Sequence, residues 1–199
     1  PEPLDGVIIT GAPVEHLAFE EVKYWDEFVN ITNEARNSCA STLGLCWAGF
    51  ALAYLAGVNK TVFDKKLFGV FPLKSLAPGH PLMGTQDDEF ICPQSRFAGL
   101  PDLEMEEAQK EGKLNLLAYG KDVGYTIFET KDQKQLMHLG HPEYTVHRII
   151  SEINRDKEKG DVPPPENFDI NSSNTSWRSH RNLLFQQWLW FCYQQVSLS

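Results

Sequence analysis

The 199-residue chain reads as an α/β protein built on a mostly parallel sheet flanked by helices. Two observations predict this. Residues 5–56 alternate short apolar strands with helix-length stretches, the β–α–β–α order that places helices against a parallel sheet. In addition, Leu43-Gly44-Leu45-Cys46-Trp47-Ala48-Gly49 sets small residues around a cysteine where a strand meets a helix. Such a turn lifts a side chain above the sheet and leaves the following backbone amides free.

The elements follow in order. Asp5 to Pro13 is a short buried strand ended by a Gly/Pro turn. Phe19 to Arg36 carries Val22, Trp25, Phe28 and Val29 at helical spacing. Ser41 to Leu45 is a second strand, and Trp47 to Ala56 a helix with little polar surface that Gly57 ends. Lys66 to Phe71, Phe90 to Pro93, Leu114 to Tyr119, Tyr125 to Thr130 and Gln135 to Leu139 are further strands. Pro101 to Glu111 is acidic and reads as a loop or short surface helix. Tyr144 to Lys159 is a helix with Val146, Ile149, Ile150 and Ile153 on one face. Asp161 to Ser176, rich in Pro, Asn and Ser, is an ordered loop, and Ser179 to Gln195 an aromatic closing helix. The expectation is one domain over residues 1–199. Because its first strand has an interior character, either the sheet is small or an N-terminal segment is lacking.

Composition excludes several classes. Eighteen Lys and Arg against 27 Asp and Glu give a formal charge of −9, which disfavours nucleic acid or an anionic membrane as partner. No apolar run approaches membrane-spanning length. Cys39, Cys46, Cys92 and Cys192 form no CxxC pair, so neither a zinc nor a thioredoxin-like site is expected, and a reducing cytoplasm is. His16, His80, His138, His147 and His180 show no metal-ligand spacing and read as structural or exposed.

The chemistry points to Cys46. Downstream, His141-Pro142-Glu143 supplies a base and the carboxylate that orients it, the set that thiol acyl-transfer enzymes of α/β type use. The bland reading of a cysteine as a small buried apolar residue suits Cys39, Cys92 and Cys192 better.

The chain resembles the homoserine O-acyltransferases of the homoserine O-succinyltransferase family. The likeness runs through Asp5-Gly6-Val7-Ile8-Ile9-Thr10-Gly11-Ala12-Pro13, Cys46-Trp47-Ala48, Lys66-Leu67-Phe68-Gly69-Val70-Phe71, Ser95-Arg96, Gly140-His141-Pro142-Glu143-Tyr144, Arg155-Asp156 and Ser176-Trp177-Arg178-Ser179-His180. The resemblance implies a class I glutamine-amidotransferase-like (flavodoxin-like) fold and a ping-pong reaction. Cys46 would take the acyl group from acyl-CoA, with His141 as base, Glu143 orienting it and the Trp47 amide in the oxyanion hole. It places substrate contacts on Lys66, Ser95 and Arg155, a cationic pair suited to an amino-acid carboxylate. Acetyl users of the family tend to carry Glu where succinyl users carry Gly. Glu15 stands there, and a carboxylate repels the free end of a succinyl group.

The expected partners are therefore acetyl-CoA, as co-substrate without a bound cofactor or metal, and a small amino-acid alcohol. That alcohol is homoserine, in methionine synthesis, or serine, in cysteine synthesis. Gln94, where the family commonly has His, leaves the choice open. Family members also carry an N-terminal segment donating a second oxyanion amide, whose loss costs on the order of 100- to 1,000-fold in rate. Other readings are a glutaminase sharing the elbow cysteine, or an inert scaffold. The stripe Phe185, Trp188, Leu189, Phe191 and Cys192 reads as core or as the contact of a homodimer.

Overall fold

The computed structural model describes residues 4–158, 160 and 163–197. Its strands are β1 (Gly6–Ile9), β2 (Ser41–Leu45), β3 (Thr61–Ser75), β4 (Glu89–Gly99), β5 (Leu114–Gly120), β6 (Gly124–Thr130) and β7 (Gln135–His138). Its α-helices are α1 (Trp25–Ser38), α2 (Trp47–Leu55), α3 (Asp102–Lys110), α4 (Val146–Lys157) and α5 (Arg178–Ser197). Among the described residues the seven strands form one sheet in the order β1-β2-β7-β6-β5-β3-β4.

The α/β architecture is as expected, but the sheet is mixed rather than mostly parallel. Only β1–β2 and β2–β7 pair in parallel; β7–β6, β6–β5, β5–β3 and β3–β4 are antiparallel. Chain length between strands decides this. β1 reaches β2 through the crossover helix α1, whereas β5, β6 and β7 follow one another through tight turns that permit only antiparallel pairing.

Helices cover both faces. On one, Trp25, Phe28, Trp47, Phe50, Leu52 and Met105 of α1, α2 and α3 bury Leu116, Phe128 and Met137 of the sheet. On the other, Trp188, Phe191 and Cys192 of α5 cover Leu43, Leu45, Phe71 and Ile127. Leu189 of the same helix is exposed. The alternation of a strand explains the division: Leu43 and Leu45 point to one face while Gly44 meets α2 on the other. A third cluster packs Ile149 and Ile153 of α4, with Trp177, on Phe68 and Val70 of β3.

Boundaries depart from the sequence reading in three places. The first helix breaks, because Val22 is extended between a 3₁₀ turn over Phe19–Glu21 and the start of α1 at Trp25. β3 and β4 extend well past Lys66–Phe71 and Phe90–Pro93, pairing from Thr61↔Gly99 to Lys74↔Glu89 across a bulge between Val62 and Leu67. Pro101 to Glu111, read as a loop or short surface helix, does hold the helix α3. The helix expected to reach Lys159 ends at Lys157, and Lys159 and Asp161 lie outside the described residues. Among the described residues no helix is long and apolar enough to cross a membrane.

Candidate active site

The site forms at the ends of β2, β4 and β7. Cys46 sits between β2 and α2 with φ 50° and ψ −116°, a conformation that L residues rarely adopt and that is stored where function requires it. Packing holds the turn. Its N–H bonds the His138 carbonyl of β7 at 2.8 Å, and its carbonyl accepts from Phe50 N–H at 3.1 Å. A side chain at Gly44 would put Cβ 2.8 Å from Leu52 and 3.0 Å from the Ala48 backbone, so only glycine lets α2 fold back this tightly. Gly11 does the same from the turn after β1, where a Cβ would lie 3.1 Å from Cys46 Cβ and 3.6 Å from both its Sγ and the Trp47 nitrogen. The space between Gly11 and the Trp47 amide is thereby kept open. That amide lies in the first turn of α2, where no intrahelical acceptor exists for it.

His141 follows β7 in a turn pinned by its N–H to the Pro93 carbonyl of β4, at 2.8 Å. Its Nδ1 meets Glu143 Oε1 at 2.7 Å, which turns Nε2 away from the carboxylate. The Tyr144 ring stacks on the imidazole at 4.1 Å between centroids and fixes its plane. Burial alone would depress the imidazole pKa. The negative charge and hydrogen bond of Cys46, aided by Glu143, outweigh burial and raise it to about 10. The arrangement sets an imidazole, oriented by its carboxylate, beside a cysteine that can serve as nucleophile.

Ser95 links this pair to a charged cluster. Its carbonyl lies 3.9 Å from Cys46 Sγ, while its hydroxyl donates to Glu152 Oε1 at 2.5 Å. Glu152 Oε1 also accepts from Lys66 Nζ at 2.7 Å and Arg155 Nη2 at 3.0 Å. Asp156, one turn along α4, takes Lys66 Nζ at 2.5 Å and Arg155 Nε at 3.2 Å. Burial would raise the Glu152 carboxyl; the hydrogen bonds of Lys66 and Ser95 override it and bring the pKa to about 2. Lys66 and Glu152 are almost wholly buried, yet 44% of the Arg155 side chain is exposed. Glu152 Oε2 is buried with no well-aligned hydrogen bond among the described residues, and the Tyr144 hydroxyl lies close enough to the carboxylate to help lower it. Glu15, half-buried beyond the Gly11 turn, lies within electrostatic reach of Lys60.

All residues expected at the site except Glu15 are thus joined by direct contacts or through shared partners. Glu152 and Asp156 were not foreseen. Their only sequence signal is their place on the apolar side of α4, flanking Ile153. A second unforeseen group lies beside His141, where Cys92, His138 and His180 bring ligand-type atoms within 4.8 Å of one another. Its hydrogen bonding is that of neutral groups. Gly140 N–H donates to His138 Nδ1 at 3.1 Å, which leaves the proton on Nε2, 3.8 Å from Cys92 Sγ. The thiol donates to the Pro93 carbonyl at 3.5 Å. Burial pushes the Cys92 thiol up, the His138 imidazole well down, and His180 to about 4. A metal on His138 Nε2 would break the Gly140 bond; the cluster instead braces the Pro93 carbonyl that holds His141.

The family model described as homoserine O-succinyltransferase matches residues 1–198. The chain belongs to the homoserine O-succinyltransferase family. Among curated relatives, it is 39% identical over 199 residues to a homoserine O-acetyltransferase of Bacillus subtilis, covering 96% of this chain and 65% of that protein. A homoserine O-acetyltransferase of Bacteroides fragilis is 40% identical over 200 residues, with the same coverages. A homoserine O-succinyltransferase of Psychromonas ingrahamii is 38% identical over 200 residues, covering 97% and 65%. The chain therefore spans just under two thirds of the length of these family members, at 65%. Among solved structures, a glutamine amidotransferase from Thermotoga maritima superposes with a TM-score of 0.70 at 13% identity, over 94% of this chain and 78% of that one. A glutamine amidotransferase from Methylobacillus flagellatus gives 0.69 at 12%, over 93% and 75%. At such identity these likenesses establish the amidotransferase-like fold of this family member and nothing about its substrate.

Proposed function

We propose that the chain carries the catalytic centre of an O-acetyltransferase that moves acetyl from acetyl-CoA, through a Cys46 thioester, to the hydroxyl of L-homoserine, in the cytoplasmic synthesis of methionine. One observation carries this reading. Ser95 joins the Cys46–His141 pair to a cluster that offers both signs of charge, as a zwitterionic amino acid requires. Relatives named homoserine O-acetyltransferase support the choice of acceptor and donor. The free, buried state of all four cysteines agrees with a reducing compartment.

The steps follow from the positions. The Cys46 thiolate attacks the acetyl carbonyl, and the developing oxyanion turns to the Trp47 amide. Collapse expels CoA thiolate, which takes the proton of the His141 imidazolium. Homoserine then binds with its carboxylate to Arg155, which half-faces solvent, and its ammonium on the acidic side of the cluster that Glu152 and Asp156 form. His141 removes the hydroxyl proton as that oxygen attacks the thioester, and Cys46 leaves as thiolate. Glu143 fixes the imidazole so that Nε2 serves both steps. Glu15 sets the preference for acetyl over succinyl by excluding a second carboxylate.

Gln94 is fully buried, with its Oε1 accepting from Arg96 Nε at 3.0 Å and its amide nitrogen close against Gly140, the residue before His141. Steady-state rates with homoserine, serine and threonine, each offered with acetyl-CoA and succinyl-CoA, test the reading. Homoserine with acetyl-CoA should give the highest kcat/KM, whereas ammonia release from glutamine without CoA chemistry would overturn it.

A further inference from the structure

Arg96 is a buried cation with no carboxylate partner. It is 1% exposed on β4, and its donors go to neutral acceptors: Nε to Gln94 Oε1 at 3.0 Å, Nη2 to the Val123 carbonyl at 2.6 Å, and Nη1 to the Ala98 carbonyl. Among the described residues no Asp or Glu lies within ion-pair distance of it. Aromatic rings close it in, Phe50 at 5.8 Å and Phe63 at 6.0 Å. Phe63, Gly99 and Val123 form a wall between the guanidinium and a cleft of about 590 Å³. A desolvated charge held this way is costly unless an opposite charge appears nearby.

That opposite charge is available at Cys46. Its sulfur rests 3.9 Å from the carbonyl of Ser95, the residue preceding Arg96, and Phe50 belongs to the first turn of α2 that Cys46 opens. The other charged or titratable groups of the site are His141, Glu143 and the stacked Tyr144 after β7, His138 on β7, Glu15 beyond the Gly11 turn, and Lys66 and Arg155 with Glu152 and Asp156 beyond Ser95. None of these cations is both permanent and free of a carboxylate partner. Arg96 is.

We propose that Arg96 is a positioning residue for the nucleophile, its buried guanidinium stabilising the negative charge that Cys46 bears as thiolate and again as leaving group. Two features of the site agree. Burial pushes the Arg96 pKa down to about 10, and the Cys46 charge opposes that push. The low polarity of the Phe50 and Phe63 walls also lets one charge act across a strand without being screened by water.

The inference rests on Cys46 being the nucleophile, and its test needs neither acetyl-CoA nor homoserine. The rate of Cys46 alkylation by iodoacetamide, followed by peptide mass spectrometry across the pH range of thiol ionisation, is compared in the full chain and in Arg96→Gln and Arg96→Lys. In Arg96→Gln the midpoint should move upward, with alkylation at neutral pH falling about tenfold, while Arg96→Lys stays within about threefold of the parent. A merely structural role would not shift the midpoint. A folded Arg96→Gln protein with the parental pH profile overturns the proposal. Should Arg96→Gln not fold, Phe63→Ala decides: opening the wall to water should raise the midpoint and make it depend on salt. An unchanged, salt-independent midpoint in that variant equally overturns it. A shifted midpoint in a chain that never accepts acetyl would sink the acyl-transfer reading and leave this one standing.

Discussion

Replacing Glu152 with glutamine exchanges one oxygen for an NH₂ group and removes the negative charge at the centre of the acceptor cluster. Oε1 can still accept from Ser95, Lys66 and Arg155, and Lys66 keeps Asp156 at 2.5 Å, so no buried ammonium is left alone. The carboxyl's fall from 4.5 to about 2 is linked to roughly 3 kcal/mol of stability at neutral pH. The sign is that of a depressed acid: the contribution is present above pH 4.5 and lost as pH falls through about 2. Glu152→Gln should therefore melt less stably at neutral pH and lack that acid limb. On function, a charge-assisted hydrogen bond to the acceptor's ammonium is worth about 1.5–3 kcal/mol, or a rise of about 10- to 100-fold in acceptor KM. Acylation of Cys46 by acetyl-CoA, measured in a single turnover without acceptor, should stay within about threefold of the parent. An unchanged acceptor KM, or acylation that falls in step with transfer, would refute this account of the cluster.

Glu143→Gln should lower kcat by about 100-fold or more without unfolding the chain, since the carboxylate is partly exposed and serves to orient His141; near-parental turnover would contradict it. Gly11→Ala places a methyl 3.1 Å from Cys46 Cβ and 3.6 Å from both Cys46 Sγ and the Trp47 nitrogen, so about a 100-fold loss of kcat with a lowered Tm is expected, against full activity if the oxyanion lies elsewhere. His141, raised to about 10, contributes stability that is fully present below pH 6.5 and lost as pH rises through about 10. Urea unfolding over that range should show the loss in the parent and a flatter profile in Cys46→Ser; identical profiles would exclude the thiolate as its cause. Glu15→Gly should raise the ratio of kcat/KM for succinyl-CoA over acetyl-CoA by at least about tenfold, and an unmoved ratio would remove Glu15 from the acyl pocket.

The elbow was legible because local geometry demands it: Gly44 and Gly49 leave room for α2 to double back on β2. The His141–Glu143 pair was equally local. What the sequence hid is long-range. Lys66 next to Lys65 reads as a solvated pair, yet its amine lies buried between two carboxylates 86 and 90 residues away. Asp156 sits in a charged run whose default is a wet helix face and Glu152 precedes it beside Ile153, and the docking of α4 on Phe68 and Val70 buries both. Cys92, His138 and His180 come from β4, β7 and α5, and no spacing along the chain could have announced their meeting. The antiparallel half of the sheet was missed in orientation although its strands were found, since alternation marks a strand but not its neighbour.

The most direct test of the central claim is the mass of the chain itself. After incubation with acetyl-CoA and no acceptor, one acetyl group should appear on the peptide containing Cys46, and adding homoserine should clear it with release of O-acetylhomoserine. A chain that turns over normally as Cys46→Ser, or an acetyl group that remains on Cys46 when homoserine is supplied, would contradict the account.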